Sequence, residues 1–326
     1  MTEEGLSVLE KSDPISAADS RPAEVSIIIP AYNEAEVMPE LFSELADTLR
    51  THGLDAEVVL VDDGSDDGTY EAAEQAAAES GLPRVRLLRH RNNRGKTEAM
   101  VTAARATDGE LLVLFDADLQ HSTEEIPRFV EELQSGYDVV TGRKVGKYDK
   151  RVVSAAYNRL SRAIFKVPVQ DLNSMKAFRK DILADLHLRH DWHRYLVVLA
   201  HAQGYRVTEI DIELHPRRRG ESKYTGRKRI LVGMLDLVAV WFQLVFSRKP
   251  MLFFGVTGLV VLGMGALTGL IALYMRFVMG QGFRPLLTLV ALLTTVGLLL
   301  FIVGFLAEMI ATMRGEVEDL RRELER

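Results

Sequence analysis

The sequence predicts an α/β protein with a doubly wound, mainly parallel sheet, followed by an interfacial helix and two membrane-spanning helices. Three observations carry this. Strand-like apolar runs alternate with helical patterns through the first half of the chain. Polar loops rich in Asp and Gly follow those strands. Two uncharged runs, residues 251–275 and 285–307, occupy the C-terminal third.

In chain order, residues 1–23 are polar and acidic, with no apolar core of the kind a signal peptide needs, and read as a flexible tail. "VSIII" (25–29) is the first strand, and a helical pattern begins near Ala35. "AEVVLV" (56–61) runs into "DDGSDDGT" and an Ala- and Glu-rich helix. "VRLLRH" (85–90) leads to "RNNRGK" and another helix. "ELLVLF" (110–115) ends in Asp116, Asp118 and Gln120, and "STEEIPRFVEELQSG" then opens with a capping pattern. "YDVVTG" (137–142) is the fifth strand. Ligands of such sheets bind beyond the carboxyl ends of the strands, where the polar loops fall.

Composition narrows the class. With 326 residues the chain holds one large domain plus an appendage, or two domains. A net charge of −6 gives no basic field for nucleic acid. The absence of cysteine removes disulfides, thiolate nucleophiles and Cys-ligated zinc. The first strand runs into "PAYNEAE" rather than a Gly-rich phosphate loop, and no Walker A motif occurs, which excludes the usual dinucleotide and P-loop sites.

Each uncharged run is long enough to cross about 30 Å of hydrocarbon. Nine basic residues precede the first run (Arg217, Arg218, Arg219, Lys223, Arg227, Lys228, Arg229, Arg248 and Lys249), against Arg276 and Arg284 between the runs. This bias predicts that both termini and the catalytic part face the cytoplasm, with a short external loop. Residues 230–246 are apolar but carry Asp236 and Gln243, and a third span would strand Arg248 and Lys249. A helix lying in the membrane plane fits better. The expected division is a tail at 1–23, a catalytic domain at 24–226, a juxtamembrane helix at 227–248, a transmembrane hairpin at 249–312 and a cytoplasmic tail at 313–326.

Asp116 and Asp118 stand at i and i+2, so an extended segment would send both side chains to one side, with Gln120 following. Two carboxylates this close raise each other's pKa unless a cation neutralises them. Carboxylate and amide oxygens suit Mg²⁺ or Mn²⁺ better than zinc. The alternative is a solvated turn capping the next helix, a task for which Ser122 is better placed. His187, His190, His193 and His201 lie on patterned helical segments without a carboxylate pair at metal spacing, and read as core or surface histidines.

The ordered set "IIIPAYNEAE", "VLVDDGSDDGT", "NRGK", "LFDADLQH" and "TGRK" resembles a glycosyltransferase family 2 catalytic domain, the GT-A fold that uses nucleotide-diphosphate sugars. "HPRRRGESKYTGRKR" ahead of a membrane part makes it similar to the polyprenyl-phosphate glycosyltransferases over roughly residues 24–310. The resemblance implies that Asp118 and Gln120 ligate the metal directly, while Asp116 touches the nucleotide or the metal shell. Pro30, Tyr32, Glu34, Asp63, Asp116 and Ala117 would then hold the nucleotide-sugar, and Arg143, Arg151, Arg217 and Lys223 the acceptor phosphate. Arg218, Arg219, Lys228 and Arg229 are left to anionic lipid. Where relatives carry "SGF", this chain has "DLNSMKAFR", keeping Asp171 and Ser174 but losing the Gly.

A phosphate acceptor is anionic near neutral pH and needs no general base. Only Asp191 offers itself as one, and the "QxxRW" of processive enzymes is absent. The expected activity is an inverting, metal-dependent transfer of one sugar to a polyprenyl phosphate at the cytoplasmic membrane face. The alternatives are transfer to a hydroxyl of a lipid-linked saccharide and a non-catalytic membrane subunit. The nucleotide, the sugar and a homo-oligomeric state stay open, and "RGEVEDLRRELER" is at most a short charged helix.

Overall fold

The computed structural model describes residues 8–11, 23–146, 161–162, 164–186, 188, 192–216, 235, 237–242, 244 and 250–324. These divide into two units, Met1–Arg229 and Ile230–Arg326, each described here by itself.

The first unit holds one eight-stranded sheet. Its strands are β1 (Val8–Lys11), β2 (Val25–Ala31), β3 (Ala56–Asp62), β4 (Val85–His90), β5 (Leu111–Leu114), β6 (Val139–Val145), β7 (Lys176–Arg179) and β8 (Val207–Glu213). Their spatial order is β1-β4-β3-β2-β5-β7-β6-β8. The five expected strands are β2 to β6, and all run in one direction. β8 joins them parallel to β6, while β1 and β7 run against their neighbours. Three strands depart from expectation. Val8–Lys11 pairs with β4 inside the stretch read as a tail. β7 inserts between β5 and β6, and β8 closes the far edge. Pro30 does not end β2, which continues to Ala31.

The helices α1 (Met38–His52), α2 (Thr69–Ser80), α3 (Lys96–Ala106) and α4 (Glu125–Gln134) alternate with these strands. Shorter α5 (Asp181–Asp185) and α6 (Leu196–Gln203) follow β7. Apolar residues at helical spacing seat each helix. Leu41, Phe42, Leu45 and Leu49 of α1, with Tyr70 and Ala73 of α2 and Ile126, Phe129 and Leu133 of α4, join Ile27, Ile29, Val58, Leu60 and Val113 in one core. Strand alternation gives the opposite face Ile28, Val59, Leu112 and Phe178, all fully buried. α3 packs on that face against β2 and β3. Burial on both faces explains the unbroken Val, Ile and Leu runs of the central strands.

In the second unit, α7 (Pro250–Phe277) and α8 (Arg284–Leu324) match the two expected spans. The most apolar 18-residue stretch has a mean hydropathy of 2.1 within Pro250–Phe277 and 2.8 within Arg284–Val317. Their apolar side chains are largely exposed, among them Leu259, Leu267, Leu270, Leu298 and Ile310. An apolar surface this extensive is what a bilayer covers. α8 continues without a break to Leu324, into the stretch expected to form the tail. The two helices meet through glycine. A Cβ on Gly258 would lie 2.7 Å from the Phe301 backbone N, and one on Gly297 would lie 2.9 Å from the Gly258 carbonyl. Such close backbone approach is how helices associate where the hydrophobic effect gives no preference. At the start of α7, the Met251 N–H donates to Glu308 Oε2 of α8 at 3.0 Å.

Of the juxtamembrane segment, the described positions 235, 237–242 and 244 are helical. Leu237 and Val240 are buried, whereas Leu235, Val238, Trp241 and Phe242 are exposed. The Trp241 and Phe242 rings each stand edge-on to Phe253 at 6.4 Å. Aromatic residues of this kind favour the membrane–water boundary.

Gly258→Val should lower the thermal midpoint of the full-length protein in detergent, by overpacking worth about 1–3 kcal/mol. Gly263→Val is the control, because a Cβ there meets nothing within 4 Å, and its midpoint should stay close to wild type.

Candidate functional site

The loops beyond β2, β3 and β5 meet at the carboxyl edge of the sheet. The first two are laced together. Asn33 N–H donates to Ser65 Oγ (2.8 Å), Glu34 N–H to Thr69 Oγ1 (2.8 Å) and Ala35 N–H to Asp67 Oδ2 (3.1 Å), while Asp66 N–H donates back to Asn33 Oδ1 (3.1 Å). Asn33 takes a left-handed φ of 54° to do this, a conformation Asn tolerates better than most residues. Tyr32 and Glu34, two of the expected nucleotide contacts, stand half-buried on this loop, beside half-buried Pro30.

Asp63, one of the expected nucleotide contacts, is held by protein groups just beyond β3. It is 3% exposed. Its Oδ1 accepts from Arg94 N–H (2.9 Å) and faces His90 Nδ1 (2.7 Å), and its Oδ2 accepts from Gly95 N–H (2.7 Å). His90 Nε2 lies 3.0 Å from Thr102 Oγ1. Asp63 thus anchors the loop that delivers Lys96. Gly64, at φ +73°, lets that loop approach: a Cβ there would sit 2.5 Å from Asn92 backbone. Neighbouring Asp62 is fully buried and lies beside Arg89, with Nε to Oδ2 3.2 Å. Burial raises its pKa against the hydrogen bonds from Ser65 and the charge of Arg89.

Asp116 and Asp118 leave β5 on a turn rather than an extended segment. Leu119 adopts φ +50°, held there by a side chain only 1% exposed. Gln120 N–H folds back onto Asp118 Oδ1 (3.2 Å), and the Gln120 carbonyl accepts from His215 N–H beyond β8 (2.8 Å). Alternation along a strand therefore does not set the relation of the two carboxylates; the turn does. Ala117, between them, is buried. Ser122 Oγ accepts from Glu124 N–H (3.3 Å) in the turn ahead of α4, whose N-cap position is Glu124 itself, with no side-chain capping bond.

Lys96, at the first position of α3, pairs with Asp116 through Nζ and Oδ1. Burial pushes Asp116 upward, but the Lys96 charge and hydrogen bond, with His121 and His193, hold its carboxyl well below the usual range. His121 is buried with no described partner for Nδ1. Burial lowers it to about 4, against the pull of Asp116. His193 is a core residue, with Nδ1 3.0 Å from Thr97 Oγ1, and burial lowers its pKa well below the ordinary value.

Arg143, on β6, is engaged by β8. Nε and Nη2 grip the two Asp211 oxygens, with Nη2 to Oδ2 2.7 Å, and Nη1 lies 3.7 Å from Glu209. Hydrogen bonding to Asp211 raises its pKa. A phosphate reaching Arg143 meets those carboxylates as competitors. The other three expected acceptor contacts, Arg151, Arg217 and Lys223, lie outside the described residues, as do Asp191, His187 and His190.

Among the described residues, no group of three His, Asp or Glu side chains could hold a metal alone. Asp116, Asp118 and Gln120 fit a different design, in which Mg²⁺ or Mn²⁺ takes one or two carboxylates and completes its shell with substrate phosphate and water. Sequence reasoning missed Lys96, His121 and Lys176. Lys96 stood in view in "NRGK", and Lys176 in "SMKAF".

A mixed, mainly parallel sheet with carboxylates on a turn after a central strand is the GT-A architecture, here followed by two helices long and apolar enough to cross a membrane. The solved structure of glucosyl-3-phosphoglycerate synthase from Mycobacterium tuberculosis, in complex with Mn²⁺, UDP-glucose and phosphoglyceric acid, shares the fold. Its TM-score is 0.54 at 16% identity, covering 68% of this chain and 79% of that one. The chain belongs to glycosyl transferase family 2, whose model matches residues 26–205. It is 32% identical to an undecaprenyl-phosphate 4-deoxy-4-formamido-L-arabinose transferase from Aeromonas hydrophila subsp. hydrophila, over 90% of each chain. It is also 32% identical to a dodecaprenyl-phosphate galacturonate synthase from Rhizobium johnstonii, covering 92% of this chain and 90% of that one.

Asp63→Asn would turn a donor toward Gly95 N–H and leave buried groups unpaired. It should lower the melting midpoint of the unliganded protein, at a cost of about 1–3 kcal/mol. A midpoint unchanged without nucleotide would instead place Asp63 in direct ligand contact.

Proposed function

We propose that this family 2 glycosyltransferase moves a single sugar from a nucleotide-diphosphate donor to a polyprenyl phosphate, with inversion at the anomeric carbon. The observation that carries the reading is the extent of likeness. Similarity to two polyprenyl-phosphate transferases runs over 90% and 92% of this chain, through the apolar helices as well as the sheet. A lipid acceptor gives those helices a purpose, because an enzyme held in a bilayer shares that bilayer with its acceptor.

The chemistry follows from the groups present. A phosphate monoester loses its second proton near pH 6, so its oxygen attacks without a general base. The new bond joins that oxygen to the anomeric carbon as the bond to the diphosphate breaks. The products are a polyprenyl-phosphate sugar and a nucleoside diphosphate. Asp118, Gln120 and Asp116 would hold a divalent ion, which when bound would supply positive charge for the departing diphosphate. Lys96, beside Asp116, adds a cation at the same edge. Pro30, Tyr32, Glu34 and Ala117 line the donor side. Asp63 contributes by fixing the Lys96 loop, and Arg143, Arg151, Arg217 and Lys223 receive the acceptor phosphate.

The clustering of Lys and Arg before α7 supports a catalytic domain and both termini on the cytoplasmic side. It also supports attraction of residues 217–229 to anionic lipid. Nothing in the charge distribution favours a nucleic-acid partner.

The test is a transfer assay in which undecaprenyl and dolichyl phosphates compete with lipid-linked saccharides as acceptors for a panel of nucleotide-sugars. Product should form on the prenyl phosphates alone, and product confined to a saccharide hydroxyl would overturn the reading. Asp118→Ala should cut turnover at least ~100-fold, the scale of losing one electrostatic contact to the transition state, without shifting the melting midpoint. Chelation should abolish activity and Mn²⁺ restore it; full activity of Asp118→Ala after chelation would remove the metal assignment.

A further inference from the structure

Lys176 is the first residue of β7 and is only 1% exposed. A lysine so buried normally has a carboxylate partner. Among the described residues, Lys176 Nζ donates only to the Ser174 carbonyl, at 2.9 Å. The two nearby carboxylates are already paired, Asp116 with Lys96 and Asp171 with Lys144 (3.5 Å). Three ammonium groups therefore face these two carboxylates.

Strand register says where the third one points. Lys176 is paired with Leu114 on β5 and with Thr141 on β6. Paired residues share a sheet face, here the face that α3 covers. Going on two residues from Leu114 and Thr141 reaches Asp116 and Arg143. Lys176 thus lies between the residues read as donor-side and acceptor-side, with its Nζ turned toward the carboxyl edge by the Ser174 carbonyl. The Ser174 hydroxyl beside it is buried with no described partner.

We propose that Lys176 is a phosphate-binding residue of the transfer site, its buried ammonium completed by a phosphate oxygen of a bound substrate. This rests on the proposed function, since that reaction brings two sources of such an oxygen, the donor diphosphate and the acceptor phosphate. The described protein groups leave the ammonium poorly supported. Burial lowers its pKa to about 7, with Lys96 and Lys144 adding to the fall and Asp116 and Asp171 opposing it. His121 and His193 also feel the Lys176 charge, and both are themselves lowered by burial. An arriving phosphate raises the Lys176 pKa, so binding near neutral pH draws a proton from solvent.

The experiment is isothermal titration calorimetry on the full-length protein in detergent at pH 7, in two buffers of different ionisation heat. The probes are UDP and GDP, each with Mn²⁺, and farnesyl phosphate. At a pH near the pKa, wild type should take up about half a proton on binding. Lys176→Arg, which stays protonated, should keep the affinity and lose the proton uptake. Lys176→Met should bind at least tenfold more weakly. Uptake with a nucleotide assigns Lys176 to the donor diphosphate, and uptake with farnesyl phosphate assigns it to the acceptor. Undiminished proton uptake by Lys176→Arg would overturn this inference alone. Failure of wild type to bind either nucleotide or farnesyl phosphate would overturn the proposed function along with it.

Discussion

The site depends on one electrostatic constraint: a sheet buried on both faces ends in carboxylates that must be neutralised where they stand. The Lys96–Asp116 pair is the local solution. It requires α3 to begin at that lysine, which requires the Arg94–Gly95 backbone to be held, and Asp63 holds it with His90 at its back. Gly64 allows the approach. The second acidic pair of the sequence is thus spent on placing the cation that serves the first. The same constraint explains why so many basic groups surround this edge. Under the proposed function, a metal and a diphosphate would be exchanged there without leaving buried charge uncompensated.

The parts of the fold legible in the sequence were those with strong periodicity. β2 to β5 are apolar runs bounded by polar loops, and α1 and α4 carry wide apolar stripes. β7 was hidden because "KAFR" is four residues long and places a lysine in the interior, against the usual preference. β8, "VTEIDIE", is an edge strand whose alternation is mostly charged or half-buried. β1 pairs only with an edge, from a stretch whose composition reads as coil.

At the site, residue types were readable and their geometry was not. The carboxylates after β5 were picked out by chemistry, yet a left-handed Leu119 set their arrangement, and no rule of spacing forecasts a β-branch-free apolar residue at positive φ. Asp63 was legible as important, but its partners come from a loop some thirty residues away. Lys96 and Lys176 went unassigned because a lone lysine in sequence reads as solvent-facing. Only the fold reveals that Lys176 is shut away from water and that Lys96 is paired with Asp116.

The unbroken course of α8 has a mechanical consequence. At 1.5 Å per residue, Arg284–Leu324 forms a rod roughly 60 Å long, about twice the thickness of a hydrocarbon layer. A rod of that length is a lever, since a small tilt at one end becomes a displacement of several ångströms at the other. Its softest joint is Gly315, which has open space around it and a helix-weakening backbone. Were α8 to cross a bilayer, a change in bilayer thickness that tilted it would carry its charged end sideways.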